Sequence, residues 1–408
     1  MSSATLNIGV IGLGRAFTLM LQTFVHDKRV KLVAATDPMP EARAQFSRDF
    51  NAPTYESAEG LCANPAVEVV YIASPHQFHA DHACLASSCR KHVLVEKPMA
   101  LTLEECTRMI EAAKKANTHL IVGHSHSFNT PIKRARQLIA SRELGDVKMI
   151  HAFNFTDFLY RPRRPEELRT QEGGGVIHSQ ATHQIDIIRL LGGGMVKTVH
   201  AHTGMWDKSR PTEGAYSALL GFEGGAFASA TYSGYGHFDS DLLLENIGEM
   251  GQRKVPEDYG LARRRLLTNS DVHDEADLKA ARNYGGKLYK VPEIVPKVSH
   301  QHFGNFIVSC EGGDLRPTSE GIEIFTDYEH RVEPLPLPEI PRIEVIDELV
   351  DAVRHGVAPL HDGVWARATT EVCLKLMRSA ESGMTEQLLF QAPVRTPPQA
   401  SQALTNTQ

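Results

Sequence analysis

Three places in the chain bring together residue types that could move a proton or hold an anion. HVLVEKPMA sets Glu96 and Lys97 directly after an apolar, β-branched run and before Pro98. A lone lysine is ordinarily solvated, but at the carboxyl end of a buried strand it stands where open α/β sheets bind ligands. Ser179 and His183 follow a run of three glycines and lie four residues apart, so a helix starting there carries both on one face. The plain alternative for His183 is a core histidine. An amine and an imidazole that share a site are the makings of an acid–base pair. The third place is LYRPRRPEELRTQEGGG, with Arg161, Arg163, Arg164 and Arg169 in a chain of net charge -6. Such a run is ordinarily a solvated loop. Beside an anionic ligand, however, guanidinium forks would grip carboxylates. Pro162 and Pro165 stiffen the loop. Arg161 and Arg164 are the expected anion ligands, Arg163 is left open, and Arg169 is expected to pair with Glu166 or Glu172.

A dinucleotide fingerprint precedes these residues. The first apolar run ends in GVIGLGRAF, where Gly12 allows a tight turn and Gly14 lets a pyrophosphate approach the backbone at a helix start. The third small position is Phe17, which is expected to hold the helix off the strand and shift the turn. Asp37, in VAATDP, falls at the end of the second run. A carboxylate there accepts both ribose hydroxyls of NAD and repels a 2′-phosphate, whereas an Asp-Pro turn starter is its plain reading. In IASPHQFHADHA, Ser74 is a plausible N-cap with Pro75 at the first helical position. His76, His79 and His82 have no matching cysteine or carboxylate cluster, so no metal site is expected. Asp186 is expected to pair structurally; Tyr232 and Tyr235 suit core and substrate contact equally.

These residues need elements to position them. Apolar runs at LNIGVIG, VKLVAAT, VEVVYIAS, HVLVE and HLIVG alternate with helical patterns over 15–26, 40–50, 77–90 and 102–117. Continuous apolar strands joined by helices predict a doubly wound parallel sheet over 1–127. From 128 to 390 the strands alternate partially, which predicts an α+β domain with a large, mostly antiparallel, open-faced sheet. Residues 239–300 read as an insertion too long for a turn. PLPLPEIP is a stiff connector to two helices near 342–355 and 363–382, and 391–408 is expected to be a disordered tail.

At 408 residues, 42% hydrophobic and 23% charged, the chain has the balance of a globular protein with two cores. The mild negative charge excludes a global basic field, so neither nucleic acid nor membrane is an expected partner. Six cysteines without CxxC spacing are expected as reduced thiols in a cytoplasmic protein, and no apolar run approaches the ~20 residues of a membrane span.

GVIGLG, ATD, IASPHQFHADHA, VEKPMA and GGGVIHSQATHQIDIIRLLGG, in that order over about residues 6 to 390, resemble the markers of the glucose-fructose oxidoreductase / inositol dehydrogenase (Gfo/Idh/MocA) family. The resemblance implies a Rossmann domain, a second domain whose sheet floors the active site and mediates homo-oligomerisation, and catalytic roles for Lys97 and His183. It implies NAD contacts at Gly12, Gly14, Arg15, Ala16, Phe17, Asp37, Ser74, Pro75, His76, His79, Glu96, Lys97 and Ser125. Substrate contacts are implied at His126, Asn154, Arg161, Arg164, Ser179 and His183. Ser179 stands where the family commonly has aspartate, which argues against a polyol substrate, and GHSHSF supplies His124 and His126 where arginines are common. With the arginine loop, the pattern is similar to the phthalate cis-4,5-dihydrodiol dehydrogenases. The implied substrate is a small dianionic cyclic diol, oxidised to a catechol; a sugar or inositol dehydrogenase and a non-catalytic NAD sensor are the alternatives.

Overall fold

The computed structural model describes residues 5–268, 275–290 and 299–395. The first half alternates β1 (Leu6–Ile11), α1 (Arg15–His26), β2 (Val30–Thr36), α2 (Pro40–Phe50), β3 (Thr54–Tyr55), α3 (Ala58–Ala63), β4 (Val69–Ile72), α4 (His79–Ser88), β5 (His92–Val95), α5 (Leu103–Ala116) and β6 (Leu120–Val122). Its sheet runs β3-β2-β1-β4-β5-β6, and every pairing is parallel. The strand order reverses between β1 and β4, so a crevice opens above their carboxyl ends. The strands are buried on both faces, as continuous apolar sequence requires. Helix α5 starts in a capping box between Thr102 and Glu105.

The second half comprises α6 (Thr130–Ser141), β7 (Val147–Phe155), α7 (Thr182–Leu191), β8 (Val196–Gly204), β9 (Ala215–Phe222), β10 (Phe227–Ser233), α8 (Leu261–Thr268), α9 (Glu275–Ala280), β11 (Asn305–Cys310), β12 (Gly313–Pro317), β13 (Gly321–Phe325), β14 (His330–Pro334), α10 (Ile343–His355), α11 (Gly363–Ser382) and β15 (Glu386–Gln387). Its sheet is ordered β14-β13-β12-β11-β7-β10-β9-β8-β15, antiparallel except for β7 with β10. One face buries Ile150, Ala152, Ala228, Ala230 and Tyr232 in a core shared with α6, α7 and α11. The opposite face leaves Met149, Leu219, Phe227 and Ile307 exposed.

Two features depart from the expected boundaries. Helix α10 belongs to the first core: Val345, Ile346 and Leu349 pack with Ile8, Val10 and Tyr71. The tail does not begin at 391, because Gln391 bonds Ala368 and Glu371, Val394 N–H donates to Gly193, and Arg395 pairs with Asp362 at 2.7 Å. The rest of that expected tail, 396–408, lies outside the described residues, as do 269–274 and 291–298 of the expected insertion. Its described parts fold as short helical turns with α8 and α9 between β10 and β11.

Candidate active site

A cleft of about 1720 Å3 runs from the β1–α1 turn across the ends of β4 and β5 to the start of α7. That exceeds the roughly 300–1,000 Å3 of a single small-ligand pocket and suits a dinucleotide with a substrate beside it. Gly12 has φ +93°, and a Cβ there would lie 2.8 Å from the Ala73 carbonyl, so the turn can press against β4 only with glycine. A Cβ on Gly14 would meet only Asn283, at 3.9 Å. Helix α1 starts at Gly14 with no side-chain cap, which leaves its first amides free for a phosphate. The Asp37 carboxylate accepts from Leu13 N–H (2.7 Å) and Met39 N–H (2.8 Å), tying the end of β2 to the turn, and it still lines the cleft. Arg43 donates to the main-chain carbonyls of Asp37 (2.7 Å) and Pro38. These residues fit a dinucleotide without a 2′-phosphate. Arg15, Ala16, Ser74, Pro75, His76, His79 and Glu96 also line the cleft. His79 braces the turn, with ring nitrogens 2.9 Å from the Ser74 and Pro98 carbonyls.

Lys97 and His183 face the same cleft. The Lys97 ammonium donates to the Ser179 carbonyl at 2.8 Å. That carbonyl lies in a single π-helical turn, Ile177–Ala181, which leads into α7; Ser179 and His183 thus share the site, though across a wider turn than an α-helix. Burial pushes the Lys97 pKa below its ordinary value, with Arg342 and Arg163 adding to the effect and Glu96 and Glu249 opposing it. His183 is 6% exposed, and among the described residues its Nδ1 has no hydrogen-bond partner. Burial, then the nearby Lys97, His126 and His124, hold it well below 6.5, so it is neutral at pH 7 and able to accept a proton. His126 packs edge-on against His183, with centroids 4.9 Å apart. Its Nδ1 faces the Asn129 amide (2.9 Å), so its Nε2 carries the proton and donates to Glu249 at 3.2 Å. Burial works against ionisation of Glu249, but His126, Arg161 and His302 outweigh it and hold the carboxyl at about 2.

The arginine loop lines the cleft, yet its side chains are engaged. Arg161 pairs with Asp157 at 3.0 Å and Arg164 with Glu166 at 3.1 Å. Arg163 stacks 3.6 Å from the Phe158 ring centre and donates to the Phe158 carbonyl. Arg169 pairs with Glu172.

Three expected contacts are placed elsewhere. Phe17 is fully buried between Phe46 and Tyr284, the latter 5.2 Å away edge-on, so it leaves the turn toward α2 and away from the cofactor. Asn154 faces the core of the second sheet, where its Oδ1 accepts from Ser240. Ser125 lies behind Lys97, beside a separate cavity of about 30 Å3. Tyr232 is buried and hydrogen-bonded to Thr156, and Asp186 ties α7 to α11 through Trp365 and Thr369.

Other residues gave no readable signal. Glu249 and Met250 line the cleft from the expected insertion, and Arg342 enters from the start of α10. Arg342 lies 245 residues after Lys97, marked only by the proline run before it. The segment around α9 also reaches across: Glu275 pairs with Arg210, Lys279 with Glu167, and the Tyr284 hydroxyl donates to Asp49. Among the described residues no cluster of three or more His, Cys, Asp or Glu is arranged for a metal, and no helix is long and apolar enough to cross a membrane.

A family model for an oxidoreductase family with an NAD-binding Rossmann fold matches residues 6–124, and a GFO/IDH/MocA C-terminal domain model matches 132–253. The 1-carboxy-3-chloro-3,4-dihydroxycyclohexa-1,5-diene dehydrogenase of Comamonas testosteroni is 48% identical over 379 residues, 92% of this chain and 95% of its own. A solved structure from Bordetella bronchiseptica superposes with a TM-score of 0.88 at 39% identity, covering 94% of this chain and 100% of that one. The WlbA dehydrogenase of Bordetella pertussis, in complex with NADH and UDP-GlcNAcA, shares the fold at a TM-score of 0.68 and 19% identity, over 94% of this chain and 99% of its own.

Proposed function

The chain belongs to the Gfo/Idh/MocA family and is an NAD-dependent oxidoreductase, and on that premise we propose that it oxidises a ring-carboxylated cyclic cis-diene-diol to the corresponding catechol. The 4,5-dihydrodiol of phthalate is the preferred substrate in this reading. The observation that carries it is that Lys97 and neutral His183 share one cleft with Arg342, a guanidinium for which the described residues supply no carboxylate within 4.0 Å. A neutral cyclitol would leave that guanidinium without a counter-charge, whereas each charge-assisted bond to a carboxylate contributes roughly 1.5–3 kcal/mol. The Comamonas relative, named for a diol with one carboxylate, supports the chemical class and favours a monocarboxylate as the second reading.

NAD, when bound, supplies the hydride acceptor. Lys97 and His183 hold the reacting hydroxyl between them and take its proton, as a pair whose titrations are coupled. As the carbinol C–H bond breaks, the C–O bond becomes a carbonyl. The hydroxy-dienone so formed tautomerises to a catechol, and aromatisation draws the reaction forward. The Ser179 carbonyl fixes the ammonium, and Glu249 fixes the His126 ring against which His183 packs.

The test is to incubate the pure protein with NAD and the cis-dihydrodiols of phthalate, benzoate and benzene, with myo-inositol alongside, and to follow nicotinamide absorbance. Turnover is expected with the carboxylated diols, that of phthalate foremost. Preference for the cyclitol would make this a polyol dehydrogenase, and binding of NAD without turnover of any diol would make it a sensor.

A further inference from the structure

Arg342 is a buried cation with no carboxylate in contact among the described residues. It is 7% exposed, and its Nε has no hydrogen-bond partner. Among the described residues its side chain makes one hydrogen bond, from Nη2 to the Met250 sulfur at 3.7 Å, a weak acceptor for a group with five N–H donors. Among the described residues no carboxylate lies within 4.0 Å of it, although Glu96 and Glu249 are close enough to act on it through their charge. Each neighbouring arginine of the loop has its own acid or carbonyl. A guanidinium taken out of water and left unpaired is strongly unfavourable, so such a group is retained where a ligand supplies the missing charge.

Its position indicates which ligand. Arg342 caps the start of α10, with φ +57°, at the carboxyl end of the parallel sheet, and it lines the same cleft as Lys97 and His183. Its charge is felt at Lys97, His183 and Glu96, the residues around the reacting hydroxyl, as well as at Arg15 beside the glycine turn. Two anions could therefore reach it: a ring carboxylate of the substrate, or the diphosphate of the cofactor. The diphosphate already has the free amides of α1 and Arg15, whereas the carboxylate has only arginines that are internally paired.

We propose that Arg342 is the receptor for the ring carboxylate and the specificity-determining residue of the site, in place of the arginine loop that the sequence singles out. The inference rests on the carboxylated-diol reading above. Arginine's planar fork would hold the carboxylate through two parallel bonds and so orient the ring, presenting one carbinol carbon to the cofactor. The loop arginines then raise the local potential without fixing orientation.

The experiment measures binding of 3,4-dihydroxybenzoate and of catechol, which differ by the carboxylate alone, to the protein saturated with NADH, by calorimetry. The proteins are the wild type, Arg342→Met and Arg342→Lys, with the Kd of NADH measured separately for each. Wild type is expected to favour dihydroxybenzoate by at least tenfold. Arg342→Met should reduce that preference to under threefold with the NADH Kd within twofold, and Arg342→Lys should fall between, as a point charge without the fork. Both replacements face the same left-handed backbone as the arginine, and the lysine variant keeps the buried charge should the methionine variant not fold. A preference that survives in Arg342→Met and Arg342→Lys alike overturns the proposal, as does a tenfold rise in the NADH Kd at unchanged preference, which would assign Arg342 to the diphosphate. Absence of any preference in the wild type would instead remove the carboxylated-diol reading itself.

Discussion

Replacing Lys97 with methionine keeps the length of the buried stem and removes the amine. The Ser179 carbonyl loses its 2.8 Å donor, but a desolvated charge disappears with it, so the fold should survive. Positioned proton transfer is worth about 10²- to 10⁴-fold in rate, so kcat should fall by that factor, or about 3–5 kcal/mol of barrier. The pH profile shows whether the reason is right. In the wild type, burial lowers the Lys97 pKa from 10.5, so the neutral amine forms on the alkaline side at a lower pH than in solution, and kcat/KM should rise there. His183, held well below 6.5, is already neutral at pH 7 and contributes only an acid limb. In Lys97→Met the alkaline limb should vanish. The acid limb should move upward, because the cation that helped depress His183 is gone. Stopped-flow and steady-state rates across the pH range, with NAD affinity measured by fluorescence, decide the matter. A kcat within tenfold of wild type, an alkaline limb that persists in the variant, or a tenfold loss of NAD affinity would each refute the assignment.

Asp37→Ser should raise kcat/KM with NADP relative to NAD at least tenfold, because the carboxylate that opposes a 2′-phosphate is removed; equal use of both cofactors by the wild type would show that Asp37 does not discriminate. Tyr284→Ala should cost about 3 kcal/mol in urea unfolding, since the ring is 2% exposed against Phe17 and its hydroxyl holds Asp49, and NAD binding should weaken with it, because Asn283 faces Gly14. An unchanged midpoint would mean that the α9 segment is not anchored there. We also propose that copies of the chain pair through the open face of the second sheet, where Leu219 is 53% exposed near Met149, Phe227 and Ile307. Light scattering should find an oligomer that Leu219→Glu dissociates, and a monomeric wild type would remove the proposal.

The short-range features of this protein were legible in its residues. Strands buried on both faces are written as continuous apolar runs, and a glycine turn after the first strand of a parallel sheet lies at its carboxyl end, so the position of Gly12, Gly14 and Asp37 in the cleft could be read from spacing. That Lys97 and His183 line the cleft was legible for a similar reason: each sits where a local pattern changes, at a strand end and just beyond a glycine run. Whether a charge is free or already paired is not a local property. The sequence does not record which of Arg161, Arg164 and Arg342 is paired; among the described residues, folding brings Asp157 and Glu166 to the first two and a sulfur to the third. Phe17 shows the same limit, because the bulk that looked incompatible with the turn is accommodated by Tyr284, more than 260 residues away. Local sequence determines where the backbone of the parallel sheet runs and which side chains stand at its strand ends. Which of them remain available to a ligand is decided by long-range contacts, because the energy of a buried charge depends on neighbours that only the tertiary fold assembles.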